Sequence, residues 1–458
     1  MSKTKTIVAV FYAVVAAASH TICVADDGQK PVRPSLYIDN IHIVDVITGN
    51  IIKHRQVHIS DGKIVAIQAA QTPVTDKQAA RYDGAGRYLS PGLIDMHVHA
   101  YEPAAFVITL SHGVTHVRVM NGVLEQIKWR NELENGSRLG STLSLSSPII
   151  SGFKNASMHT SATTEAIKAV QNAKQQGYDL IKAYGNLSAP VLRALLNEAK
   201  KQALPVAKHG PHPAQDMPWA EFTGLQTLEH VEDIYQGPLK YQEDQAALDD
   251  TIAQLKILNT PITPTLNIFW QLTQISDQKQ TYLDSLPQDY ISPIIALEEK
   301  HGQVKRWLNA SSGMVQHNQK TFAYLQEITR QLHRAELTLL VGSDSGVLLS
   351  PHGLATHREM ELMQQAGLPT IAILRAATTN AAQALGMASQ LGQVAVGYNA
   401  DLLLSRQNPL AQLSTLKEPD AVIKQGRLFS QQELKQLRTE AINARSFWEE
   451  MNILRRAW

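Results

Sequence analysis

From residue 93 onward, strand-like runs alternate with helical segments, and this alternation constrains the fold more than any other feature of the sequence. The runs cover residues 93–99, 115–120, 143–150, 179–184, 205–210, 227–232, 261–266 and 339–344. Between the fourth and fifth runs, residues 191–203 form an amphipathic helical pattern. Strands that alternate with helices favour a parallel sheet, and eight strands match a (β/α)8 TIM barrel. The sequence therefore predicts an α/β fold with such a barrel over residues 91–389.

Two segments flank the predicted barrel and contain short strand-like runs. Residues 33–90 include LYIDNIHIVD, QVHISDGKIVAIQ and GRYLSPG, and the Asp61-Gly62 pair in the second run is a hairpin signal. Residues 390–429 include GQVAVGYNADLLLS and AVIKQGRLF. We therefore predict a small β-sandwich domain that is built from these N-terminal and C-terminal segments.

The connection between the seventh and eighth predicted strands is much longer than an ordinary loop. It covers residues 267–335 and is rich in Gln, Lys, Glu and Leu, which favours a helical insertion. Its role stays open between a lid, a specificity element, a dimer surface and a packed pair of helices. Further on, the capping box Ser430-x-x-Glu433 predicts a C-terminal helix over residues 430–458.

The N-terminus has the layout of a secretory signal peptide. Two early lysines precede an apolar run over residues 7–18, and small residues follow at 23–25. The apolar run is shorter than the ~20 residues that a membrane-spanning helix needs. We predict a signal peptide over residues 1–25, cleavage near Ala25, and a secreted or periplasmic protein without a stable membrane anchor.

Composition narrows the range of partners. Cys23 is the only cysteine of the 458 residues, so the cleaved chain would have no thiol for a disulfide or a metal site. The formal net charge is +1, which gives no reason to expect nucleic acid or an anionic membrane as a partner. We expect a small-molecule or peptide substrate, and a homo-oligomer is left open.

Two histidines, His97 and His99, lie one residue apart at the end of the first predicted barrel strand. Strand side chains alternate between faces, so both imidazoles point the same way and could reach one metal ion. The alternative is a pair of hydrogen-bonded core histidines.

Four more residues stand at or near the C-terminal ends of other strands: Lys182, His209, His230 and Asp344. Because barrel active sites lie at that edge, the set favours a metal site over core packing.

These motifs resemble those of the metal-dependent amidohydrolase superfamily, and within it the prolidase-like and imidazolonepropionase-like group. The matching motifs are PGLIDMHVH, DLIKAY with Lys182, KHG with His209, GLQTLEHVE with His230, and LLVGSDSG with Asp344. The similarity continues through HREMELMQQAG, LRAATTNAAQALG and GYNADLLL, and thus runs through nearly all of the cleaved chain. Three residues depart from the common pattern of the family: Val119, Asn121 and Ser343. They bear on which subgroup the chain resembles, and none of them is an expected metal ligand.

The resemblance implies two divalent metal ions, zinc by expectation, bridged by a carboxylated Lys182 that forms with carbon dioxide. It divides the other ligands between the ions, with His97, His99 and Asp344 on the first and His209 and His230 on the second. A hydroxide that bridges the ions would attack the carbonyl carbon, and Asp344 would act first as base and then as acid.

Two further residues are candidates for substrate binding. Tyr184 follows Lys182 by two residues and shares its strand face, so its hydroxyl could donate a hydrogen bond to the substrate carbonyl. The alternative is a rim tyrosine without a role. His357 lies with Glu359 in HREMEL, where the two residues either orient Asp344 or bind a loop.

The combined prediction is a binuclear metal-dependent hydrolase that cuts a carbon–nitrogen amide bond in dipeptides or N-acyl amino acids. One alternative is a hydrolase of cyclic amides or esters, as the imidazolonepropionase-like similarity implies. Another is a non-catalytic metal- or solute-binding barrel. Asp344 argues against a pure binder, because a binder does not need an acid–base group at that position.

Overall fold

The structure, a computed structural model, describes residues 35–154, 158–210 and 217–457. The predicted signal peptide, residues 1–25, lies outside these residues. No helix within the described ranges is long and apolar enough to cross a membrane.

The strands of the described residues fall into three sheets. They are β1 (Leu36–Asp45), β2 (Asn50–Ser60), β3 (Lys63–Ala69), β4 (Ala80–Pro91), β5 (Leu93–Val98), β6 (Val114–Val119), β7 (Thr142–Leu145), β8 (Ile150–Ser151), β9 (Met158–His159), β10 (Ile181–Ala183), β11 (Val206–His209), β12 (Thr227–Glu229), β13 (Ile262–Thr263), β14 (Leu402–Ser405), β15 (Ala421–Lys424) and β16 (Arg427–Ser430).

The helices of the described residues lie mainly between and after the parallel strands. They are α1 (Ala104–Ser111), α2 (Leu124–Asn135), α3 (Thr163–Gln176), α4 (Ala189–Lys201), α5 (Val231–Gln236), α6 (Gln245–Leu258), α7 (Leu266–Gln278), α8 (Gln280–Ser285), α9 (Pro293–His301), α10 (Gln303–Leu308), α11 (Ser312–Arg334), α12 (Leu354–Gln365), α13 (Thr370–Ala376), α14 (Thr379–Ala384), α15 (Gln431–Asn443) and α16 (Phe447–Ala457). Short 3₁₀ turns occur at Trp219–Phe222, Gln288–Tyr290 and Leu413–Leu416.

The N-terminal and C-terminal segments share one seven-stranded sheet, in the order β16-β15-β14-β4-β1-β2-β3. The two segments meet where β14 pairs antiparallel with β4, with Leu404 opposite Leu89. The expected hairpin joins β2 to β3. Asp61 and Gly62 both have positive φ, +47° and +73°, as a type I′ turn requires. A second sheet packed on this one, as a sandwich needs, stays a prediction.

The strands between residues 93 and 263, β5 to β13, are parallel and form two sheets, β5-β6-β7 and β13-β12-β11-β10-β8-β9. A parallel bridge between Ser146 and Leu180 links the two sheets beside β7. Further parallel bridges join Ile262 to Leu339, and Ser345 to Val98 of β5. With helices between these strands, the protein has a mixed α/β fold.

Three local predictions differ from the structure. Residues 143–150 are not one strand, because β7 ends at Leu145 and β8 begins at Ile150 after Pro148. Residues 339–344 contain no regular strand and join their neighbours through the isolated bridges.

The C-terminal segment carries two helices rather than one, since α15 ends at Asn443 and α16 begins at Phe447. Its predicted capping box is present, with the Ser430 hydroxyl and Glu433 carboxylate each bonding the other's backbone N–H. The long connection over residues 267–335 is helical and contains α8 to α11 and most of α7. The domain boundaries themselves stay predictions.

Candidate metal centre

The predicted metal ligands lie at the C-terminal ends of neighbouring parallel strands. His97 is in β5, with His99 one residue beyond it, Lys182 is in β10, His209 ends β11, His230 directly follows β12, and Asp344 lies beside β5. The backbone of Asp344 is fixed to the first of these strands, because its N–H donates to the carbonyl of His97 at 2.8 Å. Short parallel strands thus bring together residues that are as much as 247 positions apart in the chain.

His97, His99 and Asp344 form the tighter part of the site. One ligand atom from each lies within 4.8 Å of the others. The Oδ1 atom of Asp344 is 3.0 Å from Nε2 of His99 and 3.6 Å from Nε2 of His97. His97 and Asp344 are buried, and His99 is half-buried. This donor set of two imidazoles and a carboxylate suits a divalent ion such as zinc.

His209 and His230 lie on the other side of His97. The ring centroids of His230 and His97 are 4.7 Å apart, and those of His209 and His230 are 4.1 Å apart. Among the buried atoms of the site that have no hydrogen-bond partner in the described structure are Nε2 of His230 and Nζ of Lys182. Buried polar atoms are normally paired, so both atoms fit a site that a cation completes.

Three histidines of the cluster, His97, His209 and His230, are oriented through Nδ1. His97 Nδ1 is 2.8 Å from a carboxylate oxygen of Glu229, and His209 Nδ1 is 2.7 Å from Asp233. His230 Nδ1 donates to the Thr265 hydroxyl at 2.6 Å, because that hydroxyl donates in turn to the carbonyl of Pro264. With Nδ1 engaged as a donor in His97 and His230, Nε2 is left as the ligand atom.

Burial shifts the protonation of these groups toward forms that can ligate. It lowers the pKa of His97 and His209 well below the usual value and that of His230 to about 3, so the imidazoles are neutral. Burial also lowers the pKa of Lys182 to about 8, although Glu229 and Asp344 oppose the shift. At pH 7 about a tenth of Lys182 side chains therefore carries a free amine.

For the carboxyl of Asp344, the neighbouring side chains outweigh the effect of burial on the pKa. Burial alone would raise the pKa of its carboxyl, but His97 and His99 outweigh burial and hold that pKa well below its usual range. Asp344 is therefore ionised. Its φ of +53° is uncommon outside glycine and marks a backbone that the surrounding contacts hold in place.

A supporting pair, Arg118 and Glu229, lies beneath the cluster and was not singled out from the sequence. Arg118 donates to Glu229 at 2.6 Å, to Thr227 at 2.9 Å and to the carbonyl of Met96 at 2.7 Å. Both side chains are fully buried. Glu229 directly precedes His230, so its position beside a ligand was the only signal available in the sequence.

Asp95 is a second missed support, two residues before His97. One of its carboxylate oxygens accepts from the N–H of His97 at 3.1 Å and from the N–H of Ser343 at 3.0 Å. The other oxygen accepts from the Thr356 hydroxyl at 2.6 Å. Asp95 thereby ties the strand of the first ligands to the segment of Asp344.

The two predicted substrate-binding residues lie in different surroundings. Tyr184 is half-buried, with its ring centroid 4.0 Å from that of His209. Burial, and then the carboxylates of Asp233 and Asp344, raise the pKa of Tyr184, so its hydroxyl keeps its proton and can donate. His357 lies in α12 and donates through Nε2 to the carbonyl of His112 at 2.7 Å. Its role in substrate binding stays a prediction.

The sequence that carries this site matches the profile of a known protein family. The profile of the amidohydrolase family matches residues 88–429. Over 73 residues the chain is 44% identical to an adenine deaminase of Desulforamulus reducens, and over 100 residues it is 31% identical to an ochratoxinase of Aspergillus niger. These matches cover 16% and 21% of this chain, and only 11% and 20% of the relatives' lengths.

Solved structures resemble the chain over a much larger extent. A putative prolidase from Bifidobacterium longum superposes with a TM-score of 0.68 at 24% identity, covering 90% of this chain and 100% of that one. A bottromycin amidohydrolase superposes with a TM-score of 0.73 at 22% identity, covering 90% of each chain. At these identities the likeness establishes the fold.

Proposed function

We propose that this chain, which belongs to the amidohydrolase family, uses divalent metal ions to hydrolyse a carbon–nitrogen bond. One observation carries the proposal. His97, His99 and Asp344 have ligand atoms within 4.8 Å of one another, beside two neutral histidines and an unpartnered buried lysine.

The architecture we propose around this site is a closed (β/α)8 barrel. Parallel pairing connects β5 to β7 and β10 to β13, and the Ser146–Leu180 bridge connects the two sets. The remaining bridges carry the pairing through residues 339–345 and back to Val98 of β5. This circular order supports a barrel with the site at its C-terminal edge, where barrel enzymes carry their active sites.

The ligands divide into two groups on this proposal. His97, His99 and Asp344 would hold one zinc ion, and His209 and His230 would hold a second. Lys182 would join the two groups as a carbamate. Its lowered pKa of about 8 favours this, because the reaction with carbon dioxide needs the free amine. When bound, such a metal pair lowers the pKa of water and polarises the bond that is cut.

The chain's own residues then orient and move protons. The ionised Asp344 takes a proton from the attacking water and returns it to the leaving nitrogen, which couples base and acid roles in one side chain. Tyr184 donates its hydroxyl proton in a hydrogen bond to the substrate carbonyl oxygen. Glu229 and Thr265 keep His97 and His230 in the tautomers that present Nε2.

We further propose an amide substrate, either a dipeptide or an N-acyl amino acid. Support comes from the fold likeness to structures described as a putative prolidase and as a Xaa-Pro dipeptidase, the latter with methionine bound in its active site. Export through residues 1–25 would place the enzyme with external peptides and their acylated derivatives, and this too is a proposal.

A hydrolysis screen tests the function. The protein, reconstituted with zinc and bicarbonate, is offered a panel of dipeptides and N-acyl amino acids, with Asp344→Asn as the blank. Release of free amino acid by the wild type alone is the expected result. If protein that has bound zinc hydrolysed no substrate of the panel, this result would contradict the peptidase assignment. Cyclic amides and esters would then be screened.

A further inference from the structure

A row of rings leads from the surface of the protein into the candidate metal site. Its successive ring centroids are 6.2 Å apart from Phe153 to Tyr184, 4.0 Å from Tyr184 to His209, 4.1 Å from His209 to His230, and 4.7 Å from His230 to His97. Phe153 is the outermost ring and is 39% exposed. The row therefore changes from metal-binding imidazoles inside to a purely apolar ring at the entrance.

The loop that carries Phe153 is fastened to the loop that carries Tyr184. The N–H of Gly152 and the hydroxyl of Ser151 both donate to the carbonyl of Gly185, at 3.1 and 2.9 Å. The same hydroxyl accepts from the N–H of Phe153 at 3.2 Å. These bonds hold the backbone of Phe153 in register with the strand end of Lys182 and Tyr184.

Two glycines allow this close approach. A Cβ atom at Gly152 would lie 1.8 Å from the carbonyl oxygen of Asn186, and a Cβ at Gly185 would lie 2.9 Å from the ring of Phe153. Only glycine fits at Gly152, because the obstructing atom belongs to the backbone. The ring of Phe153 is thus placed at the site entrance by its backbone, and more than a third of its surface stays in contact with water.

The chemistry of Phe153 limits what it can do in this position. A phenyl ring neither ligates a metal nor transfers a proton, so its contribution at the entrance is apolar contact. Binding sites combine a few polar groups with an apolar lining, and aromatic rings gain from stacking at centroid distances of roughly 4.5–7 Å. An aromatic or large aliphatic group on the substrate would cover the exposed ring while the adjoining amide reaches the polar end of the row.

We propose that Phe153 is a specificity-determining residue that selects amides bearing an aromatic or large apolar group next to the cleaved bond. The proposal rests on the function proposed above and adds a substrate class to it. It assigns discrimination to Phe153 and leaves the bond-breaking step to the inner residues.

Kinetics on matched substrates test the assignment. N-acetyl-phenylalanine and N-acetylglycine carry the same amide and carboxylate and differ only in the side chain. We expect Phe153→Ala to raise KM for N-acetyl-phenylalanine about tenfold, to change kcat little, and to leave N-acetylglycine unaffected. Phe153→Leu keeps an apolar side chain, so its KM for N-acetyl-phenylalanine should lie between those of the wild type and of Phe153→Ala. An equal change on both substrates, or no change on either, would overturn the proposal.

A suitable control is Phe447→Ala, which removes another exposed phenyl ring. Phe447 lies at the start of α16 and is 54% exposed. Its removal should leave the ratio of kcat/KM for the two substrates unchanged. If it changes that ratio as much as Phe153→Ala does, selection by Phe153 is wrong.

A binding assay separates this proposal from the proposed hydrolysis. Propanoate and 3-phenylpropanoate cannot be hydrolysed, and they differ only by a phenyl group. Calorimetry on zinc-loaded wild type should show about tenfold tighter binding of 3-phenylpropanoate, and Phe153→Ala should lose that difference. Tighter binding of 3-phenylpropanoate without hydrolysis of any amide would contradict the proposed function and support the role of Phe153. Equal binding of both probes by the wild type would remove that role even if the enzyme is active.

Discussion

Lys182 and Lys424 are both buried lysines beside the parallel strands, but their surroundings differ completely. Lys424 is 2.8 Å from Asp401, 2.9 Å from the carbonyl of Thr115 and 3.1 Å from the hydroxyl of Thr142. Lys182 is equally buried and its Nζ has no hydrogen-bond partner. The first environment satisfies every proton of an ammonium group, and the second satisfies none.

On the proposed function, the difference separates a structural lysine, Lys424, from a functional one, Lys182. Lys424 belongs to a polar cluster near the N-terminal ends of the strands, in which Thr142 also bonds His116 at 3.0 Å. We call Lys424, Asp401, Thr142 and His116 the N-terminal cluster. Lys182 belongs to the C-terminal edge, where burial lowers its pKa to about 8. A buried group that is left unsatisfied and shifted in pKa marks a functional site, whereas a fully paired one stabilises the fold.

The largest expected effect comes from removing the acid–base group of the C-terminal edge. Asp344→Asn should lower kcat about 10³-fold or more, because proton transfer by a positioned side chain contributes roughly 10²–10⁴-fold and the same side chain is a proposed ligand. The melting temperature should stay close to that of the wild type. Retention of most of kcat would remove Asp344 from the proton-transfer role.

The second prediction concerns Lys424, the buried lysine of the N-terminal cluster. Lys424→Met leaves the carboxylate of Asp401 buried without its partner and should destabilise the protein by about 3–5 kcal/mol, measured by denaturant unfolding. Zinc binding should be unchanged. The double variant Lys424→Met with Asp401→Asn should recover much of the loss. If Lys424→Met were as stable as the wild type, the N-terminal cluster would not be structural.

The third prediction concerns the layer beneath the ligands. Glu229→Gln removes the carboxylate that fixes the tautomer of His97 and should weaken zinc affinity about 10–100-fold, measured by competition with a chelator. Glu361→Gln, on the half-exposed carboxylate paired with Arg358, is the matched control and should leave affinity unchanged. Equal affinities for the Glu229 variant and the wild type would show that this carboxylate does not tune the site.

The smallest effect is a pH dependence in the N-terminal cluster. Burial, and then Lys424, lower the pKa of His116 to about 3, so the folded state keeps it neutral and the unfolded state binds more protons below pH 6.5. Stability should therefore be complete above pH 6.5 and fall as the pH drops, by about 1.4 kcal/mol per unit from this residue.

Denaturant unfolding at pH 7, 6 and 5 checks this slope. His116→Gln should flatten it by the contribution of one histidine, although it also alters the bond to Thr142. His317→Gln, on the exposed surface of α11, should leave the slope as it is in the wild type. A slope that is identical in all three proteins would contradict a neutral buried His116.

Local rules were enough to predict that several candidate ligands lie close together. Two-residue alternation placed His97 and His99 on one face, and the rule for barrel edges grouped them with His230 and Asp344. The partners of these ligands could not be predicted in the same way. Arg118 reaches Glu229 across 111 positions, and this contact depends on strand order and side-chain direction.

Errors in the element boundaries have similar causes. The predicted eighth strand fails as a regular strand because residues 339–345 pair only through isolated bridges, which no propensity reports. The C-terminal helix ends early, at Asn443, before Arg445 turns to donate to Glu102.

The metal content of the Lys182 variant tests the central claim most directly. Wild type, Lys182→Met and Lys424→Met are each reconstituted with zinc and bicarbonate, freed of excess metal and analysed for zinc per folded chain. The proposed bridge predicts about two ions in the wild type and in Lys424→Met, and about one in Lys182→Met. The same zinc content in all three proteins would contradict a metal-bridging Lys182 and with it the distinction between the two lysines.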